Sequence, residues 1–183
     1  MRNYEIADSA KLMRKYTVFD GVNVAMRHWA SHPFSIPHSA FRIKNTNMAT
    51  IKGTYKGNLR NELTHVQSGN TILTDAPTDN HGKGEAFSPT DLACAALAGC
   101  MMTIMGISAQ GHKFDIDGTT YTVKKTMNTD PRRIGQIDIV FNFPAKEYTE
   151  KQKALLWAAA ESCPVGRSLH PDVIVNITMN FQA

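Results

Sequence analysis

The chain has 183 residues, 42% of them hydrophobic and 20% charged, with a formal net charge of +4. That length and composition are ordinary for one soluble globular domain with a sizeable core. Residues 1–47 hold seven Lys/Arg and three Asp/Glu, which is the whole of the net charge. The rest is neutral and offers no electrostatic footprint for a nucleic-acid backbone.

No apolar run is expected to reach membrane-span length. Met1-Arg2-Asn3-Tyr4-Glu5 lacks the order of a secretory signal, so the expected location is cytoplasmic. Three cysteines, an odd count, argue against a disulfide framework.

Residues 1–47 show no sustained helical or strand period, and Pro33 and Pro37 interrupt them. They read as a poorly ordered N-terminal extension to a domain spanning 48–183. One expectation is that Met48, where the strand pattern begins, is the true start. His28 and His32 stand at a spacing that binds metal on a helix, but no third ligand accompanies them.

Strands are predicted at Ile51–Tyr55 and Glu62–Gln67 around the turn Gly57-Asn58, with a third at Thr71–Thr74. A loop follows to Ala86. Ser88-Pro89-Thr90-Asp91 then supplies an N-cap, a first-turn proline and a capping box. The helix should run to Ala109 or Gln110 and stop at Gly111.

Strands are next expected at Thr119–Met127 and Gln136–Phe143, joined through Asp130-Pro131-Arg132-Arg133. In the second, Ile137, Ile139, Phe141 and Phe143 share one face. Thr149 to Gln152 forms another capping box, opening a helix to Ser162. Trp157, Leu155 and Leu156 read as core, and Lys124-Lys125 and Arg132-Arg133 as solvated faces. Val173–Phe181 alternates as a last strand. This order of elements favours an α+β domain.

Little in the chain is reactive except two cysteines. Cys100 lies within an apolar helix rich in small residues, where burial would leave a thiol inert without a nearby cation. Cys163 precedes Pro164-Val165-Gly166-Arg167 and would be the N-cap of a short helix, Val165–Leu169. The helix dipole there would favour a thiolate. The bland alternative is that both cysteines pack as small hydrophobes, as Cys94 is expected to do. Met101, Met102 and Met105 fit either a soft pocket lining or, by preference, packing between subunits.

The stretch Ser88-Pro89-Thr90-Asp91-Leu92 leading to Leu97-Ala98-Gly99-Cys100, with Cys163-Pro164-Val165 near the end, resembles the OsmC/Ohr family over roughly residues 50–183. The resemblance implies antiparallel sheets wrapping two central helices in an intertwined homodimer, with active sites at the subunit interface. It implies thiol-dependent reduction of organic hydroperoxides in oxidative-stress defence. Cys100 would become a sulfenic acid, Cys163 would resolve it to a disulfide, and Arg60 would hold the reactive thiolate. An external dithiol, a lipoyl or thioredoxin-like protein, would recycle the pair, with no metal or bound cofactor and no nucleic-acid or membrane partner. Family peroxidases carry a glutamate at the position of Thr90, and it pairs with that arginine. Glu85 is the candidate substitute. Two other readings stay open: a non-enzymatic small-ligand binder and a redox sensor.

Overall fold

The computed structural model describes residues 49–182, so the expectations for the N-terminal extension, His28 and His32 included, lie outside the described residues. The fold is α+β, with two three-stranded sheets and two main helices.

β1 (Ile51–Gly57), β2 (Arg60–His65) and β3 (Thr71–Asp75) form an antiparallel sheet. The first turn is Asn58-Leu59, one residue later than the sequence suggests. Both residues lie at positive φ, as a two-residue hairpin requires. The loop after β3 doubles back tightly. At Gly82 a Cβ would fall 1.7 Å from the Ala76 carbonyl oxygen, so no side chain fits there. The main chain closes this loop through Asp75 N–H donating to the Phe87 carbonyl at 3.1 Å.

α1 (Pro89–Gly111) starts where the capping box places it. The Ser88 hydroxyl accepts from the Asp91 N–H, and Asp91 accepts from the Ser88 N–H. The helix runs one residue past the expected stop, and His112 is its C-cap. Residues 92–109 carry no charged side chain, so the expectation that no apolar run nears membrane-span length is corrected. α1 is long and apolar enough to cross a membrane by length and composition. Here it is the central helix of the domain, packed by α2, α3, β4 and β5. Cys94, Leu97, Ala98, Met101, Met105 and Ala109 form its buried stripe.

β4 (Thr120–Thr129), β5 (Arg132–Phe143) and β6 (Ile174–Phe181) form the second sheet in that spatial order. β4 and β5 are antiparallel, but β5 and β6 run parallel. The expected antiparallel pairing holds throughout β1–β3 and for β4–β5, and the β5–β6 pair departs from it. A parallel partner needs a long crossover, and α2 (Glu150–Glu161) and α3 (Pro164–Arg167) supply it. The inner face of β5 is as predicted, with Ile137, Ile139, Phe141 and Phe143 buried. Phe143 stacks on Phe181 of β6 at 4.6 Å. α2 buries Leu156, Ala159 and Ala160, while Trp157 is exposed rather than core.

Candidate active site

α1 and α3 bring the two cysteines together. Cys163 is the N-cap of α3 with Pro164 in the first helical position, though the helix ends at Arg167. Gly166 lets α3 settle onto α1. A Cβ there would stand 3.5 Å from Leu97 Cδ1 and 3.9 Å from Met101 Cε. The Cys163 thiol reaches the Leu97 carbonyl at 4.0 Å and is within hydrogen-bonding reach of Cys100.

Both thiols are free, Cys163 buried and Cys100 partly exposed. Burial pushes the Cys163 thiol up, and its hydrogen bond with Cys100 adds to that. The Gly166 and Val165 N–H groups act the other way but are outweighed. The expectation that the helix terminus makes Cys163 a thiolate is corrected, because four residues of dipole do not offset desolvation. Cys94 is buried and its thiol is likewise pushed up by burial, as expected of core filling.

Met101 and Met105 are buried and Met102 packs against the core, so Met101 and Met105 serve as core filling within the chain. A cavity of about 830 Å³ lies between the loop at Gly84–Phe87, α1 and β4. Phe87, Ala95, Tyr121 and Val123 give it apolar walls, with Glu85, Asp91 and Lys125 at the polar side. Neither Cys100 nor Cys163 lines it.

Arg60 sits in the other sheet. It faces Asp75 directly across the β2–β3 register. Its Nε donates to Asp75 Oδ1 and its Nη2 to Asp75 Oδ2, both at 2.7 Å. Nη2 also donates to Glu85 Oε2 at 2.6 Å. The Arg60 guanidinium holds the Asp75 carboxyl below the usual carboxylate range. No hydrogen bond or ion pair joins Arg60 to either cysteine within the chain, among the described residues. Glu85 does bind Arg60, as the sequence suggested, but Asp75 was missed. Its place opposite Arg60 follows from the hairpin register, which local sequence did not reveal.

Thr90 has a different occupation. Lys125 Nζ donates to Asp91 Oδ1 at 2.6 Å, to Thr90 Oγ1 at 2.8 Å and to Ser88 Oγ at 3.3 Å. All three ammonium protons are used, and the side chain is only 18% exposed. Lys125 is thus not the solvated lysine that its neighbour Lys124 is. Among the described residues, no cluster of His, Cys, Asp or Glu could hold a metal ion.

The described residues thus form an α+β domain whose central helix α1 and short helix α3 each carry a free thiol, the two within hydrogen-bonding reach. The sequence model of the OsmC-like protein family matches residues 82–178. A crystal structure from Psychrobacter arcticus 273-4, of a protein provisionally named for osmotic stress induction and detoxification response, is 46% identical. It superposes with a TM-score of 0.71 and covers 75% of this chain and 100% of that one. An organic hydroperoxide resistance protein OsmC from Legionella pneumophila is 17% identical, with a TM-score of 0.59, covering 71% and 94%. One from Elizabethkingia anophelis is also 17% identical, with a TM-score of 0.58, covering 73% and 97%. At that identity the last two show the fold alone. No curated protein sequence matches the chain significantly. The chain belongs to the OsmC-like protein family.

Proposed function

We propose that this protein is a thiol peroxidase that reduces organic hydroperoxides through Cys100 and Cys163. The observation that carries the reading is that a partly exposed thiol on α1 and a buried one at the start of α3 lie within hydrogen-bonding reach. A buried thiol held against an accessible one suits resolution better than random packing.

In the reaction, the Cys100 thiolate attacks the distal peroxide oxygen and the O–O bond breaks. The alkoxide takes a proton and leaves as alcohol, and Cys100 becomes a sulfenic acid. Cys163 sulfur then displaces hydroxide from it. The Cys163 proton and the hydroxide leave as water, and a disulfide forms. An external dithiol, lipoyl or thioredoxin-like, reduces that disulfide by exchange and is itself oxidised.

Arg60 is the cation for Cys100, and it comes from a second copy of the chain. Support for a homodimer lies in the β1–β3 sheet. Ile51, Tyr55, Leu63 and Ile72 share one face of that sheet by register, and Ile51, Tyr55 and Ile72 are exposed. A single copy leaves this apolar face uncovered, and a second copy would cover it. We place the protein in the cytoplasm, where dithiol reductants keep such a pair cycling.

The deciding experiment mixes fully reduced protein with one equivalent of cumene hydroperoxide and, separately, hydrogen peroxide. Two thiols per chain should be lost rapidly, faster with the organic peroxide. Cys100→Ser should lose none, and Cys163→Ser should stop at a sulfenic acid. Thiols that survive for minutes would overturn the reading and favour a small-ligand role, for which the cavity beside β4 is the available site.

A further inference from the structure

Two carboxylates bind Arg60, and they are unlike each other. Asp75 is 3% exposed and anchors the Nε–Nη2 edge of the guanidinium with two hydrogen bonds. It also accepts from the Glu85 N–H at 3.1 Å, so it ties the loop to the sheet. Glu85 is 57% exposed and contributes one hydrogen bond, to Nη2. Nη2 thus spends one proton on each acid, and Nη1 donates to no group among the described residues.

The guanidinium is planar and presents two edges that can each take an anion in parallel hydrogen bonds. Asp75 fills one edge completely. Glu85 half-fills the other, through an exposed side chain on a loop. A second anion reaching the Nη1–Nη2 edge meets the Glu85 charge at the moment it docks. Other charges near it are Lys83, whose field acts weakly on Asp75, and the Lys56–Glu62 pair on β1 and β2. On the cysteine side, Cys163 lies within hydrogen-bonding reach of Cys100.

We infer that Asp75 is the fixed positioning residue of Arg60, and that Glu85 is an exchangeable occupant that the Cys100 thiolate of a second copy must displace. This rests on the peroxidase reading above and adds a restraint to it. The two acids on one arginine then have opposite effects. Asp75 keeps the guanidinium aimed, whereas Glu85 competes for it and holds back thiolate formation. Two structural acids would instead both weaken the site when removed.

The test uses full-length protein with Cys94→Ser and Cys163→Ser, so that Cys100 is the sole thiol. Thiolate ultraviolet absorbance is followed against pH, and single-turnover oxidation by cumene hydroperoxide is timed at neutral pH. Glu85→Gln should lower the thiolate midpoint and speed oxidation about two- to fivefold, the scale of an exposed charge contact. Asp75→Asn should raise the midpoint and slow oxidation about tenfold or more, as for a lost hydrogen bond to a charged group. Asp75→Glu should restore part of it.

An unmoved or raised midpoint in Glu85→Gln, with Arg60→Ala raising it, overturns the inference and leaves the peroxidase reading standing. An Arg60→Ala midpoint equal to that of the parent, with no oxidation in any variant, overturns both. If Asp75→Asn does not fold, the sign of the Glu85→Gln shift decides.

Discussion

Lys124 and Lys125 are neighbours in sequence and opposites in environment. Lys124 is exposed, whereas Lys125 meets Ser88, Thr90 and Asp91 at the start of α1. A cation at a helix N-terminus opposes the helix dipole, so it needs the Asp91 charge beside it. Burial pushes the Asp91 carboxyl up, but hydrogen bonds from Lys125 and Ser88 prevail and leave it below the usual range. Lys125→Met should cost about 1 kcal/mol in urea unfolding, whereas Lys124→Met should stay within about 0.5 kcal/mol.

The acid limb of stability belongs to the same scale. Asp75 and Asp91 have folded values below their unfolded ones. Their contribution is present above the ordinary carboxylate range, and it is lost as pH falls through the folded values. A melting-temperature profile should decline below about pH 4, and Asp75→Asn should flatten that decline. At alkaline pH the signs reverse for the thiols. Cys94 and Cys163 hold their protons more tightly when folded, so stability should fall as pH rises above the ordinary thiol range.

Among the elements, α3 controls how closely the thiols meet. Gly166 presents no side chain to Leu97 and Met101. Gly166→Ala adds a methyl at ordinary contact distance and should be nearly neutral. Gly166→Val adds branches beyond that contact distance, toward Leu97 and Met101, and should lift α3 from α1. Disulfide formation in that variant should slow at least about tenfold, timed by thiol loss after peroxide addition. Ser88→Ala removes the cap of α1 and should lower stability by about 1 kcal/mol by the same unfolding assay.

The elements with their own local signals were legible from sequence. Both capping boxes fall where Ser88 and Thr149 put them, and the alternation marks the buried face of β5 and the half-buried face of β6. The thiol pair was legible as a motif, its contact geometry was not. What escaped was set by distant partners. Lys125 owes its burial to α1, and Asp75 owes its role to β2. The parallel pairing of β5 with β6 depends on where the crossover lands, which periodicity does not encode. Trp157 fails as core because the buried stripe of α2 runs through Leu156, Ala159 and Ala160 instead.

At the scale of the whole molecule, the two layers of one chain differ in completeness. The β4–β6 sheet and α1 share a core, while the β1–β3 sheet exposes Ile51, Tyr55, Ile72 and Leu73. Sedimentation should give twice the chain mass. Tyr55→Glu with Ile72→Glu should shift it to the single mass while leaving the contact between Cys100 and Cys163, which lies within one chain. Because Arg60 would be supplied across the interface, that monomer should also lose peroxide turnover.

The parallel pairing of β5 and β6 also carries an expectation for the order of folding. Asn176 of β6 donates to Asp138 of β5 from 38 residues away, and Cys163 lies in the segment between the strands. A pairing that distant carries a large loop-closure cost and is slow compared with forming α1 or the β4–β5 hairpin. Cys163, in that same crossover, should reach Cys100 only once α2 and α3 have packed on α1. On the peroxidase reading, a chain still emerging from the ribosome would hold Cys100 without Cys163 beside it. During that interval an oxidised Cys100 has no route to the disulfide, and further oxidation to the sulfinic acid competes. Oxidant exposure during synthesis should damage this protein more than exposure after folding.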